Sequence, residues 1–219
     1  MISIEAQQKL LLAISKILKK QITVYAIGGT AMMFLGLKNS TLDIDFIFEN
    51  SDAREFFKDA ITELGYKEMN AIRIYGAKKN IPEMFTLGDE RFDLFVEEVV
   101  NFVFSDDVKN RAKEVRQFNK NLIIKIADPH DLIIMKCATD RLKDKDDVLA
   151  ILKNTNINFN IIIKEAKNQV RLGKETAAFE LGCFLEDLYE INKKIIPMKV
   201  LDDLFSFVQK QAKEHKKRK

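Results

Sequence analysis

Hydrophobic residues recur along the first half of the chain as short apolar runs that alternate with amphipathic stretches. Runs rich in Ile, Val and Phe, bounded by Gly, Asn or Asp, predict strands, whereas apolar residues three or four positions apart predict helices. The predicted strands are 22–27, 42–49, 71–75, 84–87, 91–96 and 122–127, and the predicted helices are 3–20, 30–37 and 51–64. This alternation predicts an α/β N-terminal part.

From Asp128 onward the apolar residues follow helical spacing alone. Asp128 as N-cap, Pro129 at the first helical position and Asp131 in the first turn favour a helix start. The predicted helices are 129–142, 145–153, 159–172, 175–192 and 198–214. We therefore predict two domains, 1–127 and 128–219. We expect them to pack tightly, because no Gly-, Ser- or Pro-rich linker separates them.

Two aspartates one residue apart interrupt the second predicted strand, in the run Thr-Leu-Asp-Ile-Asp-Phe-Ile-Phe. Successive strand side chains point to opposite faces, so Asp43 and Asp45 share one face while Ile44 and Phe46 share the other. At about 5 Å and an effective dielectric constant near 20, two carboxylates repel each other by about 3 kcal/mol. A divalent cation removes this repulsion, and carboxylate oxygens suit Mg²⁺.

A glycine pair and a third acid accompany the two aspartates. Gly28 and Gly29 stand where a predicted strand meets a predicted helix, a place where the backbone can approach a phosphate closely. Asp93 lies between apolar neighbours in the predicted strand 91–96. A phosphate-binding turn with three carboxylates is the set of groups needed for metal-assisted transfer of a nucleotidyl group, in which two Mg²⁺ ions bind the attacking and leaving oxygens.

These residues resemble the motif of the nucleotidyltransferase superfamily: an apolar residue and Gly-Gly or Gly-Ser, then Asp-x-Asp or Asp-x-Glu after nine to thirteen residues, then a later acid in a strand. Residues 27–29, 43–46 and 92–94 match its three parts. The resemblance implies an α+β fold, with a polymerase-β-like mixed sheet, flanking helices and an all-α C-terminal part. It also implies transfer of an NMP from an NTP to an acceptor hydroxyl.

The same resemblance implies a role for each residue of the motif. Gly28, Gly29 and Thr30 would hold the nucleotide phosphates. Asp43 and Asp45 would bind Mg²⁺, and Asp93 would complete the metal site or act as the catalytic base.

More narrowly, the chain resembles the abortive-infection (AbiEii-like) toxin nucleotidyltransferases and their prokaryotic relatives. It shares Gly-Gly-Thr-Ala, Thr-x-Asp-Ile-Asp and a helical stretch with Lys136, Arg141, Lys143, Asp144 and Asp147. Lys136 and Arg141 would then neutralise triphosphate charge. The toxins commonly carry Arg two residues before the Thr of the second motif, where this chain has Asn39.

The same resemblance implies binding partners, and the charge of the C-terminal residues gives a further indication. The acceptor can be RNA in the toxin-like relatives, so a tRNA end is the first expectation, and a cognate antitoxin or toxin protein is another partner. Residues 210–219 carry six basic groups and one acid, although the net charge of the chain is only +3. Lys and Arg neutralise RNA phosphates, but a solvated helix end would look the same.

Two alternatives stay open at this point. The acceptor can instead be a small molecule, such as an aminoglycoside, or a protein side chain. The chain can also be a non-catalytic module that binds nucleotide.

The two cysteines, Cys137 and Cys183, lie in apolar helical runs and are expected to be free thiols in a reducing compartment. No signal peptide or membrane span is recognisable, so we expect a cytoplasmic protein without membrane contact.

Overall fold

The computed structural model describes residues 1–138 and 142–218. The strands are β1 (Ile2–Ser3), β2 (Ile22–Ala26), β3 (Ser40–Thr41), β4 (Ile44–Phe48), β5 (Lys67–Met69), β6 (Glu83–Leu87), β7 (Glu90–Val96), β8 (Glu98–Val99), β9 (Phe102–Val103), β10 (Glu114–Phe118) and β11 (Leu122–Ile126). The helices are α1 (Ile4–Ile17), α2 (Gly28–Phe34), α3 (Ser51–Glu63), α4 (Ile72–Tyr75), α5 (Asp106–Arg111), α6 (Pro129–Cys137), α7 (Leu142–Asn154), α8 (Phe159–Arg171), α9 (Ala177–Ile191) and α10 (Met198–Arg218).

The chain divides into two compact units. The first contains residues 1–100 and 104–128, and the second contains residues 101–103 and 129–219. The first unit is built on a mixed sheet with the strand order β10-β11-β2-β4-β7-β6-β5. Its β11–β2 and β4–β7 pairs are parallel and its other pairs are antiparallel. A large mixed sheet with helices confirms the expected α+β fold class.

An aromatic cluster covers one face of β4 and β7. Phe57 of α3 meets Phe46 of β4 and Phe92 of β7 edge to face, with ring centroids 5.5 Å apart in both pairs. Tyr66 packs on Phe92 as well, at 5.1 Å. All four side chains are buried. Because side chains alternate along a strand, this apolar packing directs the intervening residues, Asp45 and Asp93, to the opposite face.

The second unit consists of helices α6 to α10 and the short segment 101–103. Its core is formed by fully buried aliphatic side chains from four helices: Leu132 of α6, Ile162 of α8, Leu181 and Leu185 of α9, and Leu204 of α10. Gln169 of α8, also buried, exchanges two hydrogen bonds of 2.8 Å with the backbone of Val103. These contacts tie residues 101–103 to the helices. Among the described residues, no helix is both long and apolar enough to span a membrane.

Residues 71–75 do not form the expected strand. Residues 72–75 instead form the single-turn helix α4, and the side chain of Asn70, which precedes it, accepts a hydrogen bond from the backbone N–H of Ile72 at 2.9 Å. Gly76 ends the turn with φ +66°. A cap residue before the turn and a glycine after it outweigh the β-branched residues within it.

Candidate active site

The sheet brings the three predicted acids together. Asp45 of β4 lies opposite Asp93 in the parallel register of β4 and β7. Asp43 lies outside the strand, in the bend between β3 and β4, and its carboxylate reaches the other two from there. One carboxylate oxygen from each of the three residues lies within 4.8 Å of the others. The cluster is defined below as the acidic triad.

The burial of the acidic triad makes its charge expensive to hold without a cation. Asp93 is fully buried, and Asp43 and Asp45 are half-buried. At 4.8 Å and an effective dielectric constant of 20, each pair of carboxylates repels by about 3 kcal/mol. Three converging carboxylate oxygens are a donor set that fits a hard cation such as Mg²⁺. The chemistry of the acidic triad therefore fits the expected metal.

Gly28 allows the start of α2 to lie against the acidic triad. Its φ is +55°, in the left-handed region that favours glycine. A Cβ atom at this position would lie 2.5 Å from Oδ2 of Asp45, and one at Gly29 would collide with Oγ1 of Thr41. The glycine pair is thus required for close approach of α2 to β4 and the residues before it. Its phosphate contact stays a prediction.

Two threonines fix the backbone and side chains of the Asp43–Asp45 segment. The hydroxyl of Thr30, fully buried, accepts a hydrogen bond from the backbone N–H of Asp45 at 2.9 Å and donates one to the carbonyl of Asp43 at 3.4 Å. The hydroxyl of Thr41 donates to Oδ1 of Asp43 at 3.4 Å. Thr30 therefore positions the two acids, and its expected contact with phosphate stays a prediction.

Arg91 is a member of the site that the sequence reasoning missed. Its guanidinium group contacts Oδ2 of Asp43 through Nη2. The same group lies 2.9 Å from Oδ1 of Asp93 through Nε and 3.2 Å from Oδ2 through Nη2. Arg91 precedes Asp93 by two residues in β7, so strand alternation places both on one face. The alternation that paired Asp43 with Asp45 could have identified Arg91.

Tyr75 is the second residue that the sequence reasoning missed. Its hydroxyl donates a hydrogen bond of 2.6 Å to Oδ2 of Asp93. The prediction of a strand over 71–75 hid this contact, because only the helical turn of α4 shows where the hydroxyl lies. Asp93 thus receives hydrogen bonds from two elements and is held in a fixed orientation.

Lys136 is buried in α6 within the helical unit. Its ammonium group pairs with Asp144 at 3.2 Å and with Asp147 at 2.5 Å. The three residues therefore form an ion-pair cluster that joins α6 to α7. The expected triphosphate contact of Lys136 stays a prediction, and Arg141 lies outside the described residues.

A search of solved structures finds two that are similar to this one. ANT(2")-Ia, in complex with adenylyl-2"-tobramycin, gives a TM-score of 0.47 at 14% identity, over 83% of this chain and 98% of that one. A candidate nucleotidyltransferase from H. pylori gives a TM-score of 0.41 at 17% identity, over 100% of this chain and 99% of that one. Both are distant likenesses.

Sequence comparison identifies the family of the chain. A search of curated proteins finds no significant match. A family model described as "Nucleotidyltransferase of unknown function (DUF6036)" matches residues 2–178, which include the acidic triad, the glycine pair and helices α6 to α8. Because this match spans most of the sequence, the chain belongs to that nucleotidyltransferase family.

Proposed function

We propose that the chain is a Mg²⁺-dependent enzyme that transfers an NMP from an NTP to an acceptor hydroxyl and releases pyrophosphate. The observation that carries the proposal is the convergence of Asp43, Asp45 and Asp93 within 4.8 Å, beside Gly28. The acceptor oxygen forms a bond to the α-phosphorus while the bond from that phosphorus to the β-phosphate oxygen breaks. The hydroxyl proton leaves to a carboxylate or to water.

Each residue of the site has a task in this scheme. Asp43 and Asp45 hold the metal, which supplies charge neutralisation at the phosphates and favours the ionised acceptor hydroxyl. Asp93 completes the metal site or takes the proton. Thr30 keeps the two metal-binding acids in place through its bonds to their backbone.

RNA is the acceptor that the surface beside the site favours. Residues 70–82, here called the basic segment, contain Arg73, Lys78 and Lys79 and no acid. All three side chains are exposed, and none forms an ion pair within the part of the chain that the structure describes. Exposed cations without acidic partners suit a phosphodiester backbone, whereas an aminoglycoside is itself cationic and would be repelled.

Hydrogen bonds connect the basic segment to the site and to the neighbouring backbone. Tyr75 within it donates to Asp93 at 2.6 Å. Asn80 donates to the backbone carbonyl of Val100 at 3.2 Å and also contacts Glu98. Tyr75 and Asn80, on either side of Lys78 and Lys79, thus fix both ends of a stretch that begins at the acidic triad, and we propose that an acceptor strand passes along it. We propose a tRNA end as the specific acceptor. We also propose a role in a toxin–antitoxin pair, which the resemblance to the AbiEii-like motifs supports.

The test is incubation with each of the four NTPs, labelled at the α-phosphate, together with total cellular RNA and Mg²⁺. Labelled RNA of tRNA size is the expected product. The double variant Asp43→Asn/Asp45→Asn should lose this labelling by at least about a thousandfold, because removal of one electrostatic partner in such a site already costs about 10²–10³. Full labelling by the double variant would refute the proposal.

The acceptor is tested separately with the triple variant Arg73→Ala/Lys78→Ala/Lys79→Ala. RNA affinity should fall, and the slope of log affinity against log salt should decrease by about 2, since each phosphate contact on a single strand contributes about 0.7. NTP binding should not change. A matched control replaces three exposed lysines of the helical unit; these are Lys193, Lys194 and Lys199.

The remaining alternatives appear as other outcomes of the same assays. Label on a small molecule or on a protein, with none on RNA, would identify one of those as the acceptor. Binding of NTP without any labelled product would favour the non-catalytic nucleotide-binding module.

A further inference from the structure

The acidic triad already holds a cation that belongs to the chain. The guanidinium group of Arg91 lies between Asp43 and Asp93 and contacts carboxylate oxygens of both. Only 19% of the Arg91 side chain is exposed, so water screens this interaction weakly. The structure therefore shows a site whose negative charge is partly neutralised by an internal counter-ion.

A metal ion and this guanidinium group need the same oxygens. Oδ2 of Asp43 and both oxygens of Asp93 contact Arg91. A divalent cation on the acidic triad would lie beside a fixed positive charge in a poorly screened place, and like charges repel strongly there. The metal and Arg91 thus compete for the carboxylates.

We propose that Arg91 is the resident cation of the metal-free site and that it transfers to the nucleotide phosphates when metal and nucleotide bind together. This inference rests on the proposed function, because it takes the acidic triad to be the metal site. A polyphosphate brings several negative charges, and a guanidinium group pairs with phosphate through two parallel hydrogen bonds. Arg91 is thus a nucleotide-binding residue that couples metal binding to nucleotide binding.

Competition followed by transfer predicts opposite effects of one substitution on the two ligands. Arg91→Met keeps an unbranched apolar side chain and removes the charge. Without nucleotide, the affinity for Mn²⁺ should rise at least about fivefold, since the competing cation is gone. With saturating Mn²⁺, the affinity for inorganic triphosphate should fall at least about fivefold, since a phosphate partner is gone. A side chain that only supported the fold would weaken both.

The Mn²⁺ affinity is measured without triphosphate by electron paramagnetic resonance of free Mn²⁺, which disappears as the ion binds. The affinity for inorganic triphosphate at saturating Mn²⁺ is measured by equilibrium dialysis of the protein against radiolabelled triphosphate. Arg116→Met is the matched control, because Arg116 is also a strand arginine paired with an acid two residues away but lies on β10. Arg91→Lys keeps the charge without the planar fork and should fall between wild type and Arg91→Met. In EDTA, Arg91→Met should unfold at a lower temperature than wild type. Addition of Mn²⁺ should raise the unfolding temperature of the variant again.

Two results separate this inference from the proposed function. If wild type binds Mn²⁺ through Asp43 and Asp45 but Arg91→Met binds it no more tightly, Arg91 does not compete and the inference is wrong. If neither protein binds Mn²⁺, with or without triphosphate, the acidic triad is not a metal site and the proposed function fails with it. Weaker binding of both ligands by Arg91→Met would also contradict the inference.

Discussion

Replacing Gly28 by alanine tests whether the close contact between α2 and the acidic triad matters for chemistry. The φ of +55° at Gly28 costs a residue with a Cβ about 1–2 kcal/mol. The added Cβ would also lie 2.5 Å from Oδ2 of Asp45. Since such contacts are not found below 3.0 Å, the carboxylate of Asp45 or the backbone of α2 must move by at least 0.5 Å.

A displacement of this size should affect catalysis more than folding. Misplacement of a reacting group by about 1 Å can reduce a rate by about 10²-fold, so we expect metal-dependent NMP transfer to fall by about 10- to 100-fold. Mn²⁺ affinity should fall with it, because Asp45 is one of the three proposed ligands. The free energy of unfolding should fall by only about 1–2 kcal/mol.

Gly88→Ala is the matched control for this prediction. Gly88 has φ +57° in the turn between β6 and β7, and nothing lies within 4 Å of a Cβ added there. The backbone cost is therefore the same, but no carboxylate is displaced. Transfer rates measured with labelled NTP should drop for Gly28→Ala and stay unchanged for Gly88→Ala. Equal activity of the two variants would refute the argument that the glycine is needed for the position of Asp45.

Two further substitutions test other contacts. Tyr75→Phe removes the hydrogen bond to Asp93 and should reduce stability by about 1.5–3 kcal/mol in urea unfolding and also reduce transfer. Tyr66→Phe is the control: a tyrosine of the aromatic cluster loses a similar bond to the carboxylate of Glu90, which should reduce stability alone. Equal transfer by both variants would contradict a role for Tyr75. Lys136→Met removes the ammonium group that pairs with the buried Asp144 and should destabilise the helical unit by about 3–5 kcal/mol. Unfolding is followed by circular dichroism at 222 nm, and a change below about 1 kcal/mol would show that this ion pair is not structural.

The acidic triad could be predicted because two simple sequence patterns identify its members. Alternation in the predicted strand 42–49 put Asp43 and Asp45 on one face, and an acid flanked by apolar residues in a later strand identified Asp93. In the structure Asp43 lies just before β4, and its carboxylate still converges with the other two. The sequence alone cannot give the pairing of β4 with β7, since strand order depends on contacts far apart along the chain. That pairing, with Asp45 opposite Asp93, is what turns three candidate acids into one site.

Other parts of the fold escaped prediction for identifiable reasons. Residues 71–75 are rich in β-branched and aromatic side chains, but local caps decide their structure, and the error concealed Tyr75. Strand β10 was missed because all but its last residue are exposed, so it lacks the alternation that marks a half-buried strand. A strand can form there because β11 supplies its hydrogen-bond partners.

Lys136 illustrates how one motif allows two interpretations. Its spacing relative to Asp144 and Asp147 matched a family pattern, from which a triphosphate contact was expected. The same spacing places the three side chains in one buried ion-pair cluster, because α6 and α7 are adjacent helices. A helical pattern of charged residues therefore does not distinguish a binding residue from a structural one.

Anomalous diffraction from crystals grown with Mn²⁺ and inorganic triphosphate tests the central claim most directly. The account predicts a strong anomalous peak within about 2.5 Å of carboxylate oxygens from Asp43, Asp45 and Asp93, with the guanidinium group of Arg91 on phosphate instead of on the carboxylates. Absence of a peak at the acidic triad, with Arg91 still bound to Asp43 and Asp93 while triphosphate is present, would contradict it.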